Sequence, residues 1–172
     1  MALVRDAPSV GGGLRDVSTT TVLSPLGPLT LVSSEHGLSA VCFGSGGPKS
    51  ITDPLLSAAA TQLEEYFAAR RRAFDLPLDL RGTQFQLRAW RALAAIPYGT
   101  TVSYGEQARR LGVPRSARAV GAANGSNPLA IVLPCHRVVG ASGALTGYGG
   151  GLEAKRWLLA HEADAVSRRL PA

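Results

Sequence analysis

Pro134, Cys135, His136 and Arg137 stand in a row inside the otherwise apolar run "IVLPCHRVVG", residues 131–140. A free thiol titrates near ~8.5, so only a few per cent is thiolate at neutral pH. A neighbouring imidazole can lower that value, or take the proton through a water. The imidazole needs its own partner to fix its tautomer, ideally a carboxylate. Glu162, in the stretch "LEAKRWLLAHE", is the leading candidate, with Asp164 near the end of that helix as the alternative. Adjacent side chains on a strand point to opposite faces, so Cys135 and His136 must lie in a turn to cooperate. A buried structural thiol is the competing reading of an isolated Cys-His pair.

The residues C-terminal to Arg137 weigh against that competing reading. "GASGALTGYGGGLEAKR" is a glycine-rich loop that runs into a helix, and Tyr148 is the aromatic at its centre. Such a loop can form the wall of a site for a flat ligand. It matches neither a phosphate-binding loop nor a dinucleotide fingerprint. Metal chemistry is disfavoured: the cysteines are Cys42 and Cys135, the histidines His36, His136 and His161, and no C-x-x-C occurs. Cys42, in "GLSAVCF", reads as a small buried hydrophobe. A disulfide between two such distant cysteines is not expected in a reducing compartment.

Charge points to a polyanion. The 172 residues carry a formal net charge of +6. Arg88, Arg91, Arg109, Arg110, Arg115 and Arg118 are opposed locally by Glu106, while Asp53, Glu64, Glu65, Asp75 and Asp79 sit in the first half. A basic half beside a more neutral one suggests nucleic acid. No stretch approaches the ~18 apolar residues of a membrane span, and the N-terminal residues show no secretory apolar segment. The expected location is cytoplasmic.

The elements that must position these groups follow from pattern. Residues 1–17 read as a disordered leader and 166–172 as a tail. "TTTVLSPLGPLTLVSS" gives two strands about a turn, and "GLSAVCF" a third; "GSGGPKS" is a loop. Leu56, Ala59, Leu63, Tyr66 and Phe67 are helically spaced. "AFDLPLDL" alternates and predicts an edge strand, since Pro77 cannot donate to a ladder. From Thr83, the residues Phe85, Ala89, Leu93 and Ile96 share a helix face beside Trp90, and Pro97-Tyr98-Gly99 stops that helix. The fold class is α+β: an N-terminal α/β lobe over 18–80, then a mainly helical lobe over 81–165.

Within the second lobe, Ser103 and Glu106 form an S-x-x-E capping box that opens a helix over 104–111. Gly112 and Pro114 end it. A second helix runs from about Ser116 to Asn124-Gly125. The pair resembles a helix-turn-helix, though a plain helical hairpin would look similar. The second helix is very thin. Arg118, Gly121, Ala122 and Gly125 share a face, one long cation on a bare surface. Ordinary helices are ~10–12 Å across, and the minor groove is ~6 Å wide against ~12 Å for the major. A helix stripped to Ala and Gly needs less widening to enter the narrow groove, and it lacks base-reading amides. Close helix packing would use the same residues.

Taken together, "SYGEQA", "RAVGAANGSNP" and "NPLAIVLPCHRVVGASGALTGYGGG…KRWLLAHE" closely resemble the O6-alkylguanine-DNA alkyltransferases, also called methylated-DNA–protein-cysteine methyltransferases. The likeness is specific from about Thr83 to Glu162 and loose before it, where the family has a ribonuclease-H-like lobe. The resemblance implies a DNA-repair transferase that moves an alkyl group from O6-alkylguanine, and O4-alkylthymine, in double-stranded DNA to Cys135, irreversibly and once per molecule. It implies His136 as base through a water, Glu162 as its orienting carboxylate, and Tyr104 as proton donor to the leaving base. Arg118 would fill the gap of an extruded nucleotide, with Ala117, Gly121, Ala122 and Ser126 on the DNA-facing surface. Asn127 would tie the recognition helix to the cysteine segment. Tyr148 would stack on guanine, and backbone groups of Cys135, Val138 and Gly149 would read its edge. Serine is common in the family at the position of Gly149, but a backbone contact survives that change. Lys155 matches a lysine near the family's site. Some relatives hold a structural zinc in the first lobe; this chain lacks the ligands, so no metal or cofactor is implied. The expected state is a monomer that can coat DNA cooperatively.

Three rival readings remain open. A cysteine hydrolase would turn over repeatedly and would not need the thin helix. A non-enzymatic lesion binder would lack the acceptor cysteine. A regulator would carry further domains.

Overall fold

The computed structural model describes residues 17–46 and 53–168. The expected leader, save Val17, lies outside the described residues, as do 47–50 of the expected loop and 169–172 of the expected tail. The chain divides into two compact units between Arg81 and Gly82.

The first unit is an antiparallel meander under one helix. Strands β1 (Ser18–Ser24), β2 (Gly27–Ser34) and β3 (Gly37–Phe43) pair in chain order. Ser24 closes the first hairpin, its hydroxyl donating to Gly27 O at 2.6 Å and accepting from Leu26 N–H at 3.1 Å. Leu29 and Leu31 on β2 and Leu38 and Val41 on β3 face inward. Helix α1 (Pro54–Phe67) covers them with Leu56, Ala59, Leu63 and Tyr66. Asp53 caps α1, its carboxylate accepting from Leu55 and Leu56 N–H and from the Ser33 hydroxyl.

Two expectations for this unit are corrected. Cys42 is exposed, not buried. Val41 takes the inward position, so strand alternation turns its neighbour out. Residues 73–80 are extended, with Phe74, Leu76, Leu78 and Leu80 buried, but they form no strand. Leu38 N–H donates to Pro77 O at 2.8 Å and Asp79 N–H to Leu38 O at 2.9 Å, and pairing stops there. Pro77 has no N–H with which to extend a ladder. The approach is close: a β-carbon on Gly37 would lie 2.6 Å from Pro77 O.

The second unit begins with helix α2 (Gln84–Leu93). Thr83 and Gln86 form a complete capping box that sequence reading missed. The helix ends at Leu93, short of Pro97. Three tight turn bonds carry the chain on, and Ile96 still packs inward. Strand β4 (Val102–Ser103) leads into α3 (Tyr104–Arg110), and α4 (Ala117–Gly125) follows the Gly112 turn. The capping box at α3 is half formed. Ser103 accepts from Glu106 N–H at 3.0 Å, but the Glu106 carboxylate is drawn to Arg109 and Arg110 instead of returning to Ser103. A single 3₁₀ turn (Cys135–Arg137) precedes β5 (Val138–Val139), which pairs parallel with β4. Helix α5 (Gly151–Ser167) closes the unit and runs two residues into the expected tail.

Helix α4 is too small to be held by apolar bulk. Val120 and Ala123 face inward, and polar groups supply the rest. Buried Gln107 on α3 donates to Ala89 O at 3.1 Å and accepts from Asn124 Nδ2 at 2.7 Å. Trp90 Nε1–H donates to Ala123 O at 2.7 Å. Each such bond contributes about 0.5–1.5 kcal/mol net, and its loss strands a buried partner.

Candidate active site

The reactive segment is built from two very tight turns. Pro134 sits at φ −79°, ψ 64°, and Cys135 N–H reaches back to Leu133 O at 2.8 Å. That is an inverse γ-turn. It feeds the 3₁₀ turn in which Cys135 and His136 follow one another, the turn that cooperation demanded. Upstream, Val132 N–H donates to Ala130 O at 2.8 Å around Ile131, whose φ is +71°. A β-branched residue rarely adopts that backbone, and holding it there costs of order 1–3 kcal/mol.

Asn127 gathers this segment. Its Nδ2 donates to Leu133 O at 2.9 Å and to Cys135 Sγ at 3.2 Å, and its Oδ1 accepts from Leu129 N–H at 3.1 Å. Cys135 keeps 8% exposure. Burial pushes its thiol upward, opposed by the Asn127 bond and the nearby Lys155 charge.

His136 and Glu162 are fully buried and 2.9 Å apart through Nε2 and Oε1. Asp164, the alternative, is exposed. Burial would push the Glu162 carboxyl up, but bonds from His136 and Arg137 outweigh it and hold the group well below the carboxylate range. An ionised carboxylate only accepts, so Nε2 carries the proton. His136 itself is pushed down, chiefly by burial, with Arg137 and Lys155 reinforcing and Glu162 opposing. The ring is a neutral base with its lone pair on Nδ1, which is buried and makes no hydrogen bond to the described residues.

Sequence reading gave Arg137 no role, yet it anchors the carboxylate. Nε and Nη2 donate to the two Glu162 oxygens at 2.9 Å each, and Nη1 to Ile96 O at 2.7 Å. Gly99 N–H adds a fourth bond to Glu162, at 2.9 Å. The signal available was an arginine inside an apolar run, which needs a buried anion. Lys155 is also fully buried and donates to Val138 O at 2.7 Å and Thr146 O at 2.8 Å. It thereby ties β5 to the glycine-rich loop, and it lies 5.8 Å from the Tyr104 ring centroid. Burial lowers its proton affinity, opposed by Cys135.

Tyr148 links this centre to an open cavity of about 560 Å³, whose lining does not include Asn127, Cys135 or His136. Tyr104, Ala117, Arg118, Gly121 and Gly125 form one wall; Thr146, Gly147, Tyr148 and Gly149 form the other. The Tyr148 ring stands edge-on to His136, centroids 6.3 Å apart. The Thr146 hydroxyl donates to Tyr104 OH at 3.3 Å. Of the expected contact residues, Ala122 and Ser126 are exposed but lie off this wall, and Ser126 accepts from Gln86 Nε2 at 3.0 Å. Val138 is buried away from the wall, its carbonyl taken by Lys155. Among the described residues no three His, Cys, Asp or Glu side chains cluster to hold a metal. Nor is any helix there long and apolar enough to cross a membrane.

Comparison with known proteins covers both units. Residues 17–80 match the family model for the 6-O-methylguanine DNA methyltransferase ribonuclease-like domain. Residues 84–164 match the model for the DNA-binding domain of the same family. A methylated-DNA–protein-cysteine methyltransferase of Mycobacterium tuberculosis H37Rv is 52% identical over 145 residues, 81% of this chain and 88% of the relative. One from Methanosarcina acetivorans is 48% identical over 143 residues, 79% and 92% of the two chains. The crystal structure of the M. tuberculosis O6-methylguanine methyltransferase superposes with a TM-score of 0.79 at 49% identity, covering 91% of this chain and 96% of that one. The M. tuberculosis protein in complex with DNA gives 0.78 at 52% identity, covering 86% and 94%.

Proposed function

The chain belongs to the methylated-DNA–protein-cysteine methyltransferase family, and from that membership we propose that it takes the alkyl group off O6-alkylguanine in DNA and keeps it on its own Cys135. What supports the assignment to Cys135 is two pairs that meet in one 3₁₀ turn, Asn127 with Cys135 and His136 with Glu162, and the Tyr148 ring, which stands edge-on to His136 and lines an open cavity.

The chemistry balances within one protomer, so a monomer suffices. The Cys135 proton passes through a water to His136 Nδ1, and Glu162 stabilises the imidazolium that forms. The sulfur attacks the alkyl carbon in line. The S–C bond forms, the O6–C bond breaks, and the electron pair stays on guanine. Tyr104, which accepts from Thr146, gives its own proton toward the leaving base. The product thioether has no group nearby to remove it, so each molecule acts once. O4-alkylthymine presents the same alkyl-oxygen bond and is the second substrate proposed. The working compartment proposed is the cytoplasm, in contact with DNA.

Access sets the rest. Guanine O6 lies on the major-groove edge. A thin helix in the minor groove reaches it only after the nucleotide is turned out of the stack, at a cost of a few kcal/mol. Exposed Arg118 fills the gap, Tyr148 stacks on the base, and backbone at Gly149 reads its edge. The expected contact from Val138 is not carried over, since its N–H bonds Cys135 O and its carbonyl accepts from Lys155. Lys155 holds the loop that bears Tyr148.

The test is to incubate the protein with an oligonucleotide bearing O6-methylguanine and weigh it. One added CH₂, mapped to Cys135, is expected. An unchanged mass refutes the reading, and repeated turnover on an ester would favour a hydrolase. Arg118→Ala is expected to bind duplex with affinity that falls with salt and hardly varies with sequence. It should repair roughly tenfold or more slowly, as flipping loses its support. Unchanged single-turnover rates in that variant would remove the finger role.

A further inference from the structure

Between α4 and the nucleophile the chain reverses in very few residues. Leu133 N–H returns to Leu129 O at 2.9 Å, and Val132 N–H to Ala130 O at 2.8 Å. Ile131 is the corner, at φ +71° and 1% exposed. Glycine would take this shape without strain; a β-branched side chain is forced into it. The corner is held by burial of the whole run, Leu129, Ala130, Ile131, Val132 and Leu133. Its exit is held by Asn127, whose Nδ2 bonds Leu133 O and lies 3.2 Å from Cys135 Sγ. One amide nitrogen therefore fixes the end of the reversal and the sulfur together.

We infer that Ile131 is a positioning residue for alkyl transfer: its forced left-handed corner holds Leu133 and, through Asn127, keeps the Cys135 sulfur in the line of attack. A glycine there folds more easily and aims the sulfur less well. The inference rests on the alkyl-transfer reading above.

Ile131→Ala and Ile131→Gly test it as a pair. Both delete the branched side chain, so the difference between them reports the backbone. Urea unfolding, duplex affinity and the single-turnover rate at saturating O6-methylguanine duplex are measured for each. The glycine variant is expected to be the more stable, with a folding constant about threefold larger. It is expected to transfer methyl about tenfold or more slowly than the alanine variant, because small misalignment of a reacting atom is costly. Duplex affinity should agree within about twofold, which separates aiming from binding. Equal transfer rates, or an alanine variant more stable than the glycine one, overturn the inference. Ile131→Val keeps the branched corner and should stay within about twofold of the unaltered protein; a glycine-like loss there would assign the effect to packing and overturn it too. Failure of the unaltered protein to transfer sinks the functional reading and this inference with it. That failure is recognisable, because the stability ranking does not depend on the chemistry. If neither truncation folds, amide exchange in the unaltered protein decides. Val132 and Cys135 N–H should be protected as strongly as that of buried Leu158, and exchange about a hundredfold faster would refute a rigid corner.

Discussion

Cys135→Ala is expected to keep the fold and the grip on duplex DNA while losing alkyl transfer altogether. The side chain is small and nearly buried, and alanine removes one atom from a site closed by Asn127, so the packing cost is modest. The proposed DNA contacts sit on α4 and the Tyr148 loop, which do not lean on the sulfur. The other thiol cannot substitute. Cys42 stands exposed on the outward face of β3, in the first unit, without the His136 base. Intact mass after exposure to an O6-methylguanine duplex, with a duplex titration alongside, checks both halves. A mass gain in the variant would place the acceptor elsewhere; loss of DNA binding would mean the sulfur is structural.

Glu162→Gln should damage both chemistry and stability. The carboxylate accepts from His136, twice from Arg137, and from Gly99 N–H. An amide presents donors where only acceptors fit, and it strands the buried Arg137 charge, a loss of about 3–5 kcal/mol in comparable cases. It also releases the imidazole from the tautomer that leaves Nδ1 basic. The transfer rate should fall on the order of 10³–10⁴-fold. The pH dependence carries a separate sign. His136 is pushed down on folding, so below its ordinary value of 6.5 the unfolded chain takes a proton that the folded one refuses. Glu162 is also held down, so its contribution is present above 4.5 and is lost as pH falls below it. Both act in one direction: stability declines as pH drops from about 6.5, more steeply below about 4.5. Urea midpoints from about pH 8 to about pH 4 should show that steeper part in the unaltered protein and a weaker one in Glu162→Gln, where Asp53 and Glu106 are still held down. A flat profile in the unaltered protein would contradict the buried ion pair.

Much of this centre was legible because its chemistry is local in sequence. Cys135 and His136 had to share a turn, and Pro134 supplies it. Glu162 was readable as one of two carboxylates near the end of α5, preferred to Asp164 because the latter lies nearer the fraying end. Less visible were groups whose meaning depends on a distant partner. Arg137 is two residues from the nucleophile, yet its role is set by Glu162, 25 positions on, and by Ile96, 41 positions back. Gln107 and Asn124 gave no signal, since an amide in a helix is ordinarily a surface residue. Ile131 gave half of one: an isoleucine announces burial, which it has, but not the left-handed corner that a glycine would have announced. Cys42 failed for the opposite reason. Its residue type favours burial, and strand phase overruled it.

The fastening of α4 has a bearing on how this surface can change over time. Gln107, Asn124 and Trp90 secure the helix from its inner side. Arg118, Ala119, Ala122 and Gly125 face outward and take no part in it. Attachment and display are thus assigned to different residues of one short helix. Lineages can retune the displayed set, step by step, without endangering the scaffold beneath it.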